Sequence, residues 1–226
     1  MFDNILYFHR DNCKHSQKIK LLLKKKSKKL FCIVSKKNKE NLDLSKIKNI
    51  EFDYIFCFRS FFILKKNILK KVRYASINFH PGTPKYRGIG CINFALYRNE
   101  KKYGSTAHIM DERIDAGKII DVRYFVIKKN DTLTKCLSKT YSIMYNQAIF
   151  IISELIKNKD KLDILKKKNN KVKWSKKLYT RKELNKLYVI NLNCSDKIIK
   201  KKIRATKLNK STKFNITFIK QKNKVS

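Results

Sequence analysis

The sequence predicts an α/β protein: a doubly wound, mainly parallel sheet with a small C-terminal accessory lobe. Three observations point there. Short, near-continuous apolar runs alternate with Lys-rich helical stretches through the first half of the chain, and such runs mark strands buried on both faces of a parallel sheet. Their succession has a βαβ rhythm, which places helices on both faces of one sheet. All five glycines and both prolines fall between Pro81 and Gly117, so backbone shape is most tightly specified in that stretch.

The elements follow in order. ILYFH (5–9) reads as the first strand, and 14–25 as a Lys-rich helix with Leu21, Leu22 and Leu23 supplying apolar surface. LFCIVS (30–35) and YIFCF (54–58) read as the second and third strands. A short helix is expected over 63–72, then a strand over 74–80. Gly104–Met110 reads as a strand, Asp111–Asp115 as a loop, and Gly117 as the start of the next strand. Residues 133–155 carry apolar side chains at spacings of three and four, which predicts a helix packed on the core, with Asp131 placed as its N-cap. A polar, Lys-rich stretch (157–173) follows. Helices are then expected over 181–188 and 195–203, and a strand in FNITFI (214–219).

Composition narrows the function classes. With 226 residues, 42% of them hydrophobic, the chain can bury one core and a small appendage. No stretch approaches the roughly 18 apolar residues that span a bilayer, so no membrane partner is expected. The start, MFDNILYFHRDNCKHSQ, is expected to be a first strand and not a signal peptide. The net charge of +39 invites a nucleic-acid reading. Only nine of the 56 basic residues are Arg, however, the better residue for forked phosphate contacts. The lysines run along most of the chain beside abundant Asn and Ile, a pattern that codon supply explains. The six cysteines form no C-x-x-C pair, so no metal site is expected, and a cytoplasmic, reducing location fits. The first strand leads into HRDNCKHS, with no G-x-G-x-x-G, which argues against a dinucleotide enzyme.

The chemistry-bearing residues gather at two places. In Ser-Ile-Asn-Phe-His-Pro-Gly, Asn78 and His80 are two apart, so on a strand both point to one face. Pro81 and Gly82 stop the strand there. The carboxyl end of a parallel strand is where open α/β sheets bind ligands. The second place is HIMDERIDAGKII, whose loop can carry Asp115 back over the strand that holds His80.

SINFHPGTPKYRGIGC followed by GSTAHIMDERIDAGKII resembles the formyltransferase family that uses 10-formyltetrahydrofolate. Methionyl-tRNA, glycinamide ribonucleotide and sugar N-formyltransferases belong to that family. The resemblance covers most of residues 1–150. It implies the formyltransferase fold, with a catalytic domain over 1–160, a linker over 161–173 and a small lobe over 174–226. It implies Asn78, His80 and Asp115 as catalytic residues. The transfer develops charge on the formyl oxygen and releases an amine proton. Imidazole and carboxamide can donate to that oxygen, and a carboxylate can hold the imidazole or a water.

The resemblance further implies 10-formyltetrahydrofolate as co-substrate. Phe61, Phe62, Ile63 and Leu64 would lie on one side of its pteridine, and Met110, Asp111, Glu112 and Arg113 on the other, with His108 near the formyl group. Lys65 departs from the family, where Pro is usual. The tail, KWSKKLYTRKELNKL and IIKKKIRAT, looks like that of bacterial enzymes acting on nucleotide-linked amino sugars in polysaccharide biosynthesis. An amino-sugar nucleotide is therefore the expected acceptor. The alternative is a methionyl-tRNA formyltransferase with a reduced C-terminal domain, acting on tRNA. A homodimer is the assembly allowed for.

Overall fold

A computed structural model of the chain describes residues 1–36, 45–208 and 217–219. One six-stranded sheet organises it. Its strands are β1 (Phe2–Arg10), β2 (Ser27–Ser35), β3 (Phe52–Phe58), β4 (Val72–His80), β6 (Lys102–Ile109) and β7 (Ile119–Val126), in the order β2-β1-β3-β4-β6-β7. The first four are parallel. β6 runs antiparallel to both β4 and β7. The mainly parallel sheet is as the sequence predicts.

β3 is buried along its whole length because it lies between β1 and β4. On β1 the side chains alternate: Ile5 and Tyr7 join one apolar cluster, Leu6 and Phe8 another on the opposite face. β2 is an edge strand, and its apolar run LFCIV is only partly covered. Two helices pack on the first face, α1 (Lys14–Lys26) through Ile19 and Leu23 and α4 (Leu133–Lys157) through Met144, Ala148, Ile151 and Ile152. The second face is covered by Ile68 of α2 (Lys66–Leu69), by Leu64 and by Ile47.

Some elements differ from the sequence expectation. α2 is four residues long within the expected 63–72 helix. α4 is capped by Thr132, whose side chain accepts from Lys135 N at 3.2 Å, and not by Asp131. Asp131 instead accepts from Lys128 N at 2.9 Å and from Lys139 Nζ at 2.5 Å. Two cations and a turn amide claim its oxygens, which leaves the cap to the next residue. The stretch 161–173 begins with α5 (Lys161–Lys168), anchored by buried Leu162.

The remaining elements build a second layer beside the sheet. They are β5 (Arg87–Gly88), α3 (Cys91–Tyr97), β8 (Leu178–Tyr179), α6 (Arg181–Tyr188), β9 (Val189–Asn191), α7 (Asp196–Thr206) and β10 (Thr217–Ile219). α3, Tyr179, Leu184, Leu187 and Ala205 share one apolar cluster. Asn93 Nδ2 donates to Ala205 O at 2.7 Å, tying α3 to α7. β8 pairs with β5, and β10 with β9. Residues 214–216 of the expected last strand lie outside the described residues. Among the described residues no helix is long and apolar enough to cross a membrane.

Candidate active site

β4 and β6 set the site by their register. Asn78 lies opposite His108, and His80 opposite Thr106, so Asn78, His80 and His108 share one face. Ser76 O accepts from Met110 N at 2.8 Å, which extends the pairing into the loop that carries Asp115. Asp115 has φ +45, a left-handed conformation that a non-Gly residue adopts at a cost of about 1–3 kcal/mol. Three contacts fix it there. Asp115 Oδ2 accepts from Gly88 N at 2.9 Å and lies 3.2 Å from His80 Nδ1. Asp115 Oδ1 lies 3.5 Å from His108 Nε2. The same His108 nitrogen is 3.1 Å from Asn78 Nδ2. His80 and His108, both expected from the sequence, thus meet at the Asp115 carboxylate, and Asn78 joins them through His108.

The hydrogen-bond partners define the state of His80. Its Nε2 lies 2.8 Å from Tyr86 O, and a carbonyl can only accept. Its Nδ1 faces an ionised carboxylate, which also only accepts. Each ring nitrogen thus faces an acceptor, an arrangement that favours the doubly protonated imidazolium. Burial alone would push the His80 pKa down, but the Asp115 charge and hydrogen bond outweigh it and hold the pKa well above 6.5. Burial would likewise raise Asp115. The His80 charge and the two histidines' hydrogen bonds outweigh that, and hold its carboxyl far below the usual carboxylate range. Both His80 N–H groups are engaged, so in this state the ring acts through its charge. Asn78 is only half-buried.

The loop after β4 encloses His80. A Cβ at Gly82 would stand 2.5 Å from His80 Nε2, so only glycine leaves room for the ring. Cys91 Sγ lies 3.8 Å from the same nitrogen. Trp174 covers the pair, its ring edge-on to His80 at 5.7 Å and to His108 at 5.1 Å between centroids. No local pattern marks Trp174 as part of the site, because it arrives through tertiary packing; Cys91 closes the YRGIGC stretch but carries no chemical signal of its own there. Beyond Trp174 opens a cleft of about 500 Å³ that carries Arg113, Lys118, Lys173 and Lys176 on its walls, with no acidic residue among its described lining.

The expected folate segments are placed unequally. Phe62, Leu64 and Met110 meet in one apolar cluster. Met110, Asp111, Glu112 and Arg113 line an open cleft of about 520 Å³ with Lys66, Leu69 and Lys70. Ile63 is exposed, at 64%. Phe61 turns away toward Arg10, whose guanidinium lies 4.6 Å from its ring centre, and lines a different cleft. Arg113 is bound to Asp111 at 2.7 Å. Among the described residues no group of three or more His, Cys, Asp or Glu side chains is arranged to hold a metal ion.

The chain belongs to the formyl transferase family, whose model matches residues 10–150. A methionyl-tRNA formyltransferase from Clostridium novyi is 38% identical over 97 residues, covering 42% of this chain and 31% of the relative. One from Prochlorococcus marinus is 33% identical over 173 residues, covering 74% of this chain and 52% of the relative. The chain therefore spans about half or less of the length of these relatives. Among solved structures, a sugar N-formyltransferase from a Shewanella species superposes with a TM-score of 0.69 at 19% identity, covering 96% of this chain and 92% of that one. An N-formyltransferase from Helicobacter canadensis, solved with folinic acid and dTDP-3-aminofucose, gives 0.67 at 21% identity, covering 97% and 84%. At those identities the likeness is one of fold.

Proposed function

We propose that the chain moves a formyl group from 10-formyltetrahydrofolate to a primary amine carried by a nucleotide-linked amino sugar. The observation that carries the reading is the Asp115 carboxylate held between His80 and His108, beside Asn78. The apolar cluster of Phe62, Leu64 and Met110 suits a flat ring. When bound there, the folate supplies the formyl group.

Each catalytic residue then has a task. The amine attacks as a neutral nucleophile, forming its bond to the formyl carbon, and the bond from that carbon to folate N10 breaks. Asn78 donates to the formyl oxygen, and the His80 imidazolium stabilises the charge that develops on it. Asp115 holds the imidazolium and orients a water that carries the amine proton toward the leaving nitrogen. The acceptor class is supported by the cationic cleft beyond Trp174, which suits an anionic carrier. It is also supported by RSFFIL and YRGIGCINFALY, which look like the sugar branch. A second reading, transfer to the aminoacyl group of a charged initiator tRNA, is favoured by the curated relatives and by the charge of +39.

Turnover per folded molecule decides, with 10-formyltetrahydrofolate and either a panel of amino-sugar nucleotides or charged initiator tRNA. Transfer to the sugar panel, lost about a hundredfold or more in His80→Ala while folate binding persists, is the expected result. Transfer to tRNA alone would move the assignment to the second reading. A folded His80→Ala protein of near-normal turnover would end both.

A further inference from the structure

We propose that Trp174 and Arg87 are positioning residues of this site: they fasten the segment 174–179 over His80, His108 and Asp115, and keep Asp115 in its left-handed conformation. The fastening is continuous. Trp174 Nε1 donates to Gly117 O at 2.7 Å, two residues past Asp115. The guanidinium of Arg87 donates to Ile114 O at 2.8 Å and to Ser175 O at 3.1 Å. One side chain thus bridges the residue before Asp115 and the residue after Trp174. Ser175 N donates to Pro84 O, and Ile89 N to Tyr179 O, both at 2.9 Å. At Gly88 (φ +86) a Cβ would fall 2.3 Å from Tyr179 O, so glycine is what lets the two backbones meet.

The plain alternative is that Trp174 merely packs the C-terminal segment. Its surroundings argue otherwise. Trp174 belongs to none of the three apolar clusters. Its ring meets two polar rings edge-on, and its N–H is spent on the loop that carries the carboxylate. A left-handed aspartate persists only where its surroundings over-determine it, and the Gly117 and Ile114 carbonyls flank that residue on both sides. The ring also shields a carboxylate and an imidazolium from water, where the attraction between them weakens. The charged and titratable groups that face it are His80, His108 and Asp115 beneath, Cys91 behind His80, Arg87 beside it, and Arg113, Lys118, Lys173 and Lys176 on the outer cleft.

Trp174 is the only tryptophan in the chain, which supplies a readout independent of activity. Protonated imidazole quenches indole emission by contact. Emission of the folded wild type should therefore rise in one step as pH climbs through the His80 titration, and His80→Gln should remove the step. Kinetically, Trp174→Ala should lower kcat on the order of tenfold to a hundredfold by loosening the Asp115 loop. It should also move the alkaline limb of the kcat–pH profile to lower pH, since water admitted to His80 relaxes its raised pKa. Trp174→Phe keeps the apolar cover and loses only the Gly117 bond, so its alkaline limb should stay in place. Arg87→Lys keeps the charge but cannot span both carbonyls, and should lower kcat in the same sense as Trp174→Ala.

The kinetic arm rests on formyl transfer at this site. If the wild type transfers formyl to no amine, that reading fails, and the emission step alone decides Trp174. A folded Trp174→Ala protein with kcat within twofold of wild type and an unmoved alkaline limb overturns the proposal. So does an emission step that survives His80→Gln.

Discussion

His80 Nδ1 stands 3.2 Å from Asp115 Oδ2 in a pocket where the two side chains keep only 4% and 10% of their exposure. A buried ion pair contributes little net stability against an apolar replacement, but removing one partner strands the other. Asp115→Asn should therefore cost about 3 kcal/mol or more in the unfolding free energy.

The same pair makes stability depend on pH in a set direction. The His80 pKa is raised in the folded state, so its contribution is full below about pH 6.5 and is lost as pH rises toward the folded value. The Asp115 pKa is depressed, so its contribution is full above about pH 3.8 and is lost only as pH falls below that. Thermal melts of wild type and His80→Gln from pH 5 to 10 should show a gap that is constant below pH 6.5 and narrows above it. A gap independent of pH would mean that His80 is neutral in the folded protein.

Two glycines allow steric tests with different outcomes. A Cβ at Gly82 would stand 2.5 Å from His80 Nε2 and 3.0 Å from both His80 Cδ2 and the Tyr86 carbonyl oxygen, so its closest contact is a side chain. Gly82→Ala should fold and lose turnover on the order of tenfold to a hundredfold, because the imidazolium is pushed off Asp115. A Cβ at Gly117 would lie 1.8 Å from Ile109 O, and backbone cannot swing aside. Gly117→Ala should cost stability first, about 1–3 kcal/mol or more. Paired melting and turnover measurements separate the two, and equal loss of stability in both would contradict this reading of the Gly82 loop.

What the sequence made legible follows the range of the forces involved. Strand alternation alone put Asn78 and His80 on one face, and the βαβ rhythm put that face at the sheet's carboxyl edge. α3 escaped because Cys91, Ile92, Asn93, Phe94, Ala95 and Leu96 are all buried, so no amphipathic period exists to be read. The Asp131 cap failed for the opposite reason: the residue type was right, but Lys135 and Lys139 compete for its oxygens. Trp174 reaches His80 across more than ninety positions of sequence, and no local pattern encodes that contact.

The cap of α4 is testable by itself. Thr132→Ala should destabilise by about 1 kcal/mol through loss of the bond to Lys135 N, with turnover of the folded fraction unchanged. Chemical denaturation at fixed m-value measures it. No change in midpoint would mean that the Lys135 amide finds another acceptor without cost.

The folate site is most sharply tested at Ile63. Leu64 is buried at 5% exposure, so truncating it would confound binding with folding; Leu64→Ala should cost about 2–5 kcal/mol. Ile63 is 64% exposed, so Ile63→Asp should change stability by no more than about 0.5 kcal/mol. If the pteridine lies between the 61–64 and 110–113 segments, the new carboxylate borders its apolar face. It must then be desolvated or displaced when the ligand binds. Titration with a stable reduced-folate analogue should show affinity lowered by about tenfold or more, the scale of one desolvated polar group. Phe61→Ala offers the contrast, because its ring lies over Arg10 in a separate cleft. That variant should bind the analogue within about threefold of wild type, as expected of a residue outside the contact. Equal affinity in wild type and Ile63→Asp, with a marked loss in Phe61→Ala, would move the folate to the Arg10 side of the sheet.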